Sequence, residues 1–142
     1  MRTAIDTNVI SALWSGSPII EQVTALLGRV ANEGALAVCG PVYAELVAHP
    51  KVTQQFVDQF LAATRMDVDF TFDEPVWRVT ASRFADYARR RRKSAGGEAR
   101  RLVVDFLIGA HASLHADRLL TFDPHFYAKD FPKLPLIGVE AL

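Results

Sequence analysis

The sequence predicts an α/β domain with a mainly parallel central sheet and helices covering both faces, and three observations lead to that class. Residues 3–5, 36–39 and 118–122 read as short, largely apolar strands. Longer segments between them carry apolar residues at helical spacing. Half of the 142 residues are hydrophobic and 23% are charged, with only 8 Gly and 7 Pro, which is a globular composition. Strands alternating with helices belong to layered α/β architecture, and 142 residues are enough for one domain, expected to span residues 1–142.

The elements follow in order. Thr3, Ala4 and Ile5 form a strand that runs into Asp6-Thr7-Asn8, all good helix caps, and residues 9–14 continue as a short helix. After a turn at residues 15–18, apolar positions 19, 20, 23, 26, 27 and 30 predict a helix over 19–31, which Gly34 ends. The strand at 36–39 leads to Gly40-Pro41, where proline suits a first helical turn, and that helix stops near His49-Pro50. Residues 52–63 read as helix. Residues 66–72 alternate apolar and acidic side chains, as a half-exposed strand does. A long amphipathic helix over 74–93 is broken at residues 94–97, and a strongly apolar helix covers 102–116. The strand at 118–122 follows, and residues 134–139 supply a last strand.

Composition also sets limits. No apolar stretch approaches the roughly 18–20 residues of a membrane span, and the first residues, with Arg2 and then Asp6, do not read as a signal peptide. One cysteine, Cys39, allows neither an internal disulfide nor a cysteine metal cluster. A cytoplasmic location is the expectation. Net charge is zero, but residues 83–101 hold 8 of the 16 basic residues, including Arg89, Arg90, Arg91, Arg92 and Lys93. Such a block creates a local field that attracts polyanions, although a solvated helix end explains it equally well.

Functional groups of open α/β sheets gather at the carboxyl ends of the strands. Asp6 follows the first strand and Asp123 the fourth. Each has a plainer role available, Asp6 as a helix cap and Asp123 as the opener of an Asp-Pro turn. Asp105 stands in the apolar run of residues 102–110, where an unpaired carboxylate would be costly. An arginine, a helix N-terminal position or a metal cation would compensate it. Glu45 has apolar neighbours in Val42 and Leu46. Should the four converge, their repulsion calls for a cation, and an all-oxygen set selects Mg²⁺ or Mn²⁺ over Zn²⁺. Such ions activate water and stabilise an in-line phosphodiester transition state.

These residues in this order, Asp6-Thr7-Asn8, Glu45, Asp105 with Phe-Leu-Ile-Gly-Ala-His-Ala, and Leu120-Thr121-Phe122-Asp123 with Phe126, resemble the PIN-domain nucleases. Among these the chain is most similar to the VapC toxins of toxin–antitoxin pairs. The resemblance implies a Rossmann-like three-layer sandwich and a Mg²⁺- or Mn²⁺-dependent endoribonuclease. It implies Asp6, Glu45, Asp105 and Asp123 as the acidic quartet, with Asp6, Asp105 and Asp123 as metal ligands. Thr7, Asn8 and Thr121 match the family's polar helpers. A homodimer, an RNA substrate and an inhibitory antitoxin are the implied partners. Arg89, Arg90, Arg91, Arg92 and Lys93 form a longer basic run than the family requires, suited either to RNA phosphates or to the antitoxin.

Other chemistries find less support. His111 and His115 share a helix face, but the zinc-protease glutamate and a third ligand are missing, so both read as packing or surface residues. Cys39 reads as an inert core residue. No glycine-rich phosphate loop opens a helix. A non-catalytic RNA- or protein-binding domain, and a nuclease of RNA maturation, are the alternatives to a toxin.

Overall fold

A computed structural model describes residues 1–94, 97 and 100–138. The helix break expected at Ala95 and Gly96, Glu98 of the basic block, the strand end at Val139 and the stretch 139–142 of the expected domain lie outside the described residues. The elements run β1 (Arg2–Ile5), α1 (Thr7–Trp14), α2 (Ile20–Glu33), β2 (Ala35–Cys39), α3 (Gly40–Val47), α4 (Gln54–Ala63), β3 (Met66–Asp69), α5 (Glu74–Lys93), α6 (Val103–His115), β4 (Arg118–Thr121), α7 (Pro124–Asp130) and β5 (Leu136–Gly138).

The five strands form one sheet in the order β3-β2-β1-β4-β5, and every pairing is parallel. This is the three-layer α/β architecture expected from the alternation of strands and helices. Burial explains the short apolar strands: Thr3, Ala4 and Ile5 of β1 and Leu119, Leu120 and Thr121 of β4 are all buried. Strands covered on both faces lose the polar alternation of half-exposed ones. The strand order reverses between β1 and β4. β1 pairs with β2 on one side and with β4 on the other, Ala4 lying between Ala37 and Leu119. A crevice at such a switch point, outside the strand carboxyl ends, is where open α/β sheets bind their ligands.

Three expectations need correction. The third strand stops at Asp69 and does not reach Phe72, because Asp69 pairs with Cys39, the last residue of β2, and nothing remains for Phe70 to pair with. Phe70 is 67% exposed beside this sheet edge. The fourth strand likewise ends at Thr121, one residue after Leu120 pairs with the end of β1. The turn read at Asp123-Pro124 is instead the start of α7, with Pro124 in the first turn. A proline there loses no helical hydrogen bond and brings its φ preset. Smaller boundary shifts have local causes: α4 starts at Gln54 because the Thr53 hydroxyl caps it, accepting from the Phe56 N–H at 3.1 Å.

Two glycines are required by close approach. A side chain at Gly34 would collide with the Met1 backbone, which accepts a hydrogen bond from the Ala35 N–H at 2.9 Å at the start of β2. At Gly109, within α6, a Cβ would lie 2.3 Å from the buried Phe131 ring. Gly109→Ala is therefore expected to lower the melting temperature by a few degrees, since overpacking costs roughly 1–3 kcal/mol. Alanine's advantage as a helix former, about 1 kcal/mol, offsets only part of this. Thermal denaturation followed by circular dichroism checks it, and an unchanged midpoint would mean that Phe131 yields freely.

Candidate active site

The switch point between β1 and β4 opens into a cleft of about 260 Å³ lined by Asp6, Thr7, Asn8, Ser11, Glu45, Arg101, Asp105, Asp123 and Tyr127. All four carboxylates singled out in the sequence thus meet in one place, each from a different segment. Asp6 leaves the end of β1 and caps α1, its Oδ1 accepting from the Thr7 N–H at 2.8 Å. Glu45 projects from α3, Asp105 from the first turn of α6, and Asp123 lies between β4 and the start of α7.

Hydroxyl groups tie these acids together. Thr121, fully buried, donates to Asp6 Oδ2 at 2.8 Å and accepts from the Asp123 N–H at 2.9 Å. One side chain thereby fixes both acids on the sheet. Thr7 donates to Glu45 Oε1 at 2.6 Å. Asn8 acts on the backbone, its Oδ1 accepting from the Phe122 N–H at 3.2 Å and holding the loop after β4 against α1. Tyr127 also faces the cleft beside Asp6.

Asp6 is only 6% exposed, the most buried of the four. Burial raises its pKa from 3.8 to about 6, against the pull of the Thr121, Tyr127 and Thr7 hydrogen bonds, and the Asp105 charge pushes it further up. Asp105 is raised as well, first by burial and then by the charges of Glu45 and Asp123, with Arg101 opposing. Burial together with the Asp6 and Asp105 charges holds the Tyr127 phenol neutral. A cluster of acids that resist ionising together is one that a cation would relieve.

The compensation of Asp105 differs from the simple picture of a carboxylate sunk in an apolar helix. α6 starts at Val103, so Asp105 lies in its first turn, and Leu102 and Val103 are 64% and 44% exposed. The apolar run around it is not a buried circumference at that end. A first-turn position favours an anion through the helix dipole, and Arg101 adds a nearby positive charge.

Ser11, Arg101 and Tyr127 are the lining residues that sequence reasoning missed. The Arg101 guanidinium bonds Asp123 Oδ2 at 2.6 Å and lies 4.5 Å from the centroid of the Phe126 ring. Asp123 is 22 residues away in sequence, so only the fold reveals the pair. The run from Arg89 to Lys93 lies at the end of α5 and does not line the acidic cleft. Within it, Arg89 pairs with Asp86, and Arg90 bonds the buried Asp130 at 2.7 Å. Arg91 and Arg92 line a separate cleft with Arg100, Leu102 and Val103. Arg101 lines this cleft too and so connects it to the acidic one.

The donor set is made of hard oxygens and suits Mg²⁺ or Mn²⁺. In the present side-chain arrangement no three acidic, histidine or cysteine groups among the described residues are drawn together tightly enough to hold an ion. Asp123 is turned toward Arg101 instead. The residues therefore suit a divalent cation in donor chemistry and share one cleft, without forming a closed ligand set.

The other candidates fall away on geometry. His111 is buried, stacks on Phe72 and bonds Asp69 Oδ2 at 2.9 Å, while His115 faces Asp73 at 3.4 Å, so the two histidines turn to different partners. Cys39 is buried, which pushes its thiol up to about 12 and leaves it inert. A larger cleft of about 500 Å³, walled by Trp14, Leu27, Phe56, Phe60 and Met66 among others, carries no charged group among the described residues. Among the described residues no helix is long and apolar enough to cross a membrane.

Fold and cleft together define a parallel α/β domain of Rossmann-like topology with a polyacidic crevice at its switch point. Comparison with protein families narrows this: the PIN domain matches residues 3–132, and the chain belongs to that family. Comparison with curated proteins finds no match. Among solved structures, the chain is similar to FitAcB from Neisseria gonorrhoeae, with 26% identity over 99% of both chains and a TM-score of 0.64. It is also similar in fold to VapBC2 from Rickettsia felis bound to a DNA fragment from their promoter, with 21% identity, 97% of this chain and 98% of that one covered, and a TM-score of 0.71. VapBC-1 from nontypeable Haemophilus influenzae is a third, at 19% identity over 99% of both chains and a TM-score of 0.66.

Proposed function

We propose that this protein is a Mg²⁺- or Mn²⁺-dependent endoribonuclease that acts as the toxin of a toxin–antitoxin pair. The observation that carries the reading is the convergence of Asp6, Glu45, Asp105 and Asp123, from four separate segments, on one cleft at the sheet's switch point. Membership of the PIN family and likeness to the VapBC and FitAcB structures support it. Asp6, Asp105 and Asp123 are the proposed ligands, and Glu45 completes the site or orients the attacking water.

A divalent ion held there would supply an activated water and neutralise charge developing on the phosphodiester. The chain's own groups do the rest. Thr121 fixes Asp6 and positions the backbone of Asp123. Thr7 holds Glu45, and Asn8 fastens the loop that carries Asp123. Tyr127 and the buried strand ends wall Asp6 off from bulk water, which strengthens electrostatic interactions inside the cleft. RNA would approach over the basic cleft of Arg91, Arg92 and Arg100, adjoining through Arg101. In this reading Arg89, Arg90 and Lys93 contribute to the same field, less directly because Arg89 and Arg90 already have acidic partners. The proposed partners are a second copy of the chain and an antitoxin, in the cytoplasm.

Purified protein is expected to cleave total RNA with Mg²⁺ or Mn²⁺ and to stop in EDTA, and Asp105→Asn is expected to be inactive. In cells, toxicity on expression should disappear with the same variant. Cleavage that persists in EDTA would overturn the metal-dependent reading.

A further inference from the structure

Among the described residues that line the acidic cleft a single one is basic, and it is already bound to one of the acids. We propose that Arg101 is a built-in counter-ion of the site, which holds Asp123 while no metal is bound and must release it before an ion can be held. The inference rests on the metal-dependent reading and adds a regulating residue to it.

Three observations converge on this role. The Arg101 guanidinium bonds Asp123 Oδ2 at 2.6 Å, so one of the two carboxylate oxygens of a proposed ligand is engaged. The ring of Phe126 lies beneath the guanidinium at 4.5 Å, so the held position is supported by cation–π contact as well as by charge. Arg101 shares the cleft with Asp105 as well, and its charge favours the ionised form of that acid. Burial works against the Arg101 charge, yet Asp123 and Asp105 more than restore it. The arginine therefore does in the metal-free protein part of what a divalent ion would do, and the two compete for the same oxygens.

The place to which Arg101 withdraws is also on the molecule. Its side chain lines the neighbouring basic cleft with Arg91, Arg92 and Arg100. Like charges in the basic cleft oppose that move, and a polyanion bound there would favour it. Arg101 thus links occupation of the basic cleft to opening of the acidic one.

The test is Mn²⁺ affinity of the RNA-free protein, measured by electron paramagnetic resonance of the free ion in wild type, Arg101→Gln and Arg101→Lys. Arg101→Gln is expected to bind Mn²⁺ roughly tenfold more tightly, a coupling of ordinary size, while Arg101→Lys, which keeps a cation, stays near wild type. Arg101→Met, which retains packing over Phe126 without the charge, gives the same answer should the glutamine variant fold poorly. Equal or weaker Mn²⁺ binding by the uncharged variants overturns the proposal and leaves the metal-dependent reading standing. Absence of Mn²⁺ binding in all variants overturns both.

Discussion

Asp6→Asn is expected to abolish RNA cleavage, with a loss of roughly a thousandfold or more, while the protein stays folded. A metal-held active site supplies several kcal/mol of transition-state stabilisation, and each 1.36 kcal/mol is a factor of about ten. Asp6 is the most buried of the four acids and the one fixed by the most hydrogen bonds, so no neighbouring carboxylate can take its place. The structural part of its role survives the change. Asparagine caps helices about as well as aspartate, and its carbonyl can keep the bond from the Thr7 N–H. Loss of cleavage with an unchanged circular dichroism spectrum would therefore report on chemistry. Substantial cleavage by Asp6→Asn would remove Asp6 from the site.

Stability of the metal-free protein is expected to fall as pH rises from about 4 to about 6, by about 3 kcal/mol from Asp6 alone. The carboxyl titrates at about 6 in the folded chain against 3.8 as the ordinary value. Between those values the folded state binds more protons than the unfolded one. The contribution of protonated Asp6 is fully present below pH 3.8 and is lost as pH rises through about 6. Asp105, raised as well, adds to the same trend. Thermal melts of wild type and Asp6→Asn in EDTA isolate the effect, because their other titrations are shared. The variant should gain on wild type toward neutral pH, and parallel curves would contradict the burial cost. Added Mg²⁺ should reverse the order, stabilising wild type more at about pH 7 than at about pH 5, since its ligands must be ionised.

Much of this arrangement was legible in the sequence, for identifiable reasons. Buried parallel strands are short and apolar, so Thr3-Ala4-Ile5 and Leu119-Leu120 marked the centre of the sheet. Strand ends then pointed to Asp6 and Asp123. The apolar run singles out Asp105 for a reason the structure revises, since Leu102 and Val103 are exposed and the acid sits in a first turn. Pro124 opens a helix although Asp-Pro also opens turns, and a seven-residue helix has too few positions to show a period. That hid Tyr127. The pairs Arg101–Asp123 and His111–Asp69 join residues 22 and 42 apart, and local pattern carries no trace of such contacts.

The central claim is that Asp6, Asp105 and Asp123 share a divalent ion. A crystal of the protein grown with Mn²⁺, with data collected at a wavelength where manganese scatters anomalously, tests it most directly. The account predicts an anomalous peak in the cleft within coordination distance of these three carboxylates, with Arg101 turned away from Asp123. Active protein whose crystals show no peak there, or a peak held by other residues, would contradict it.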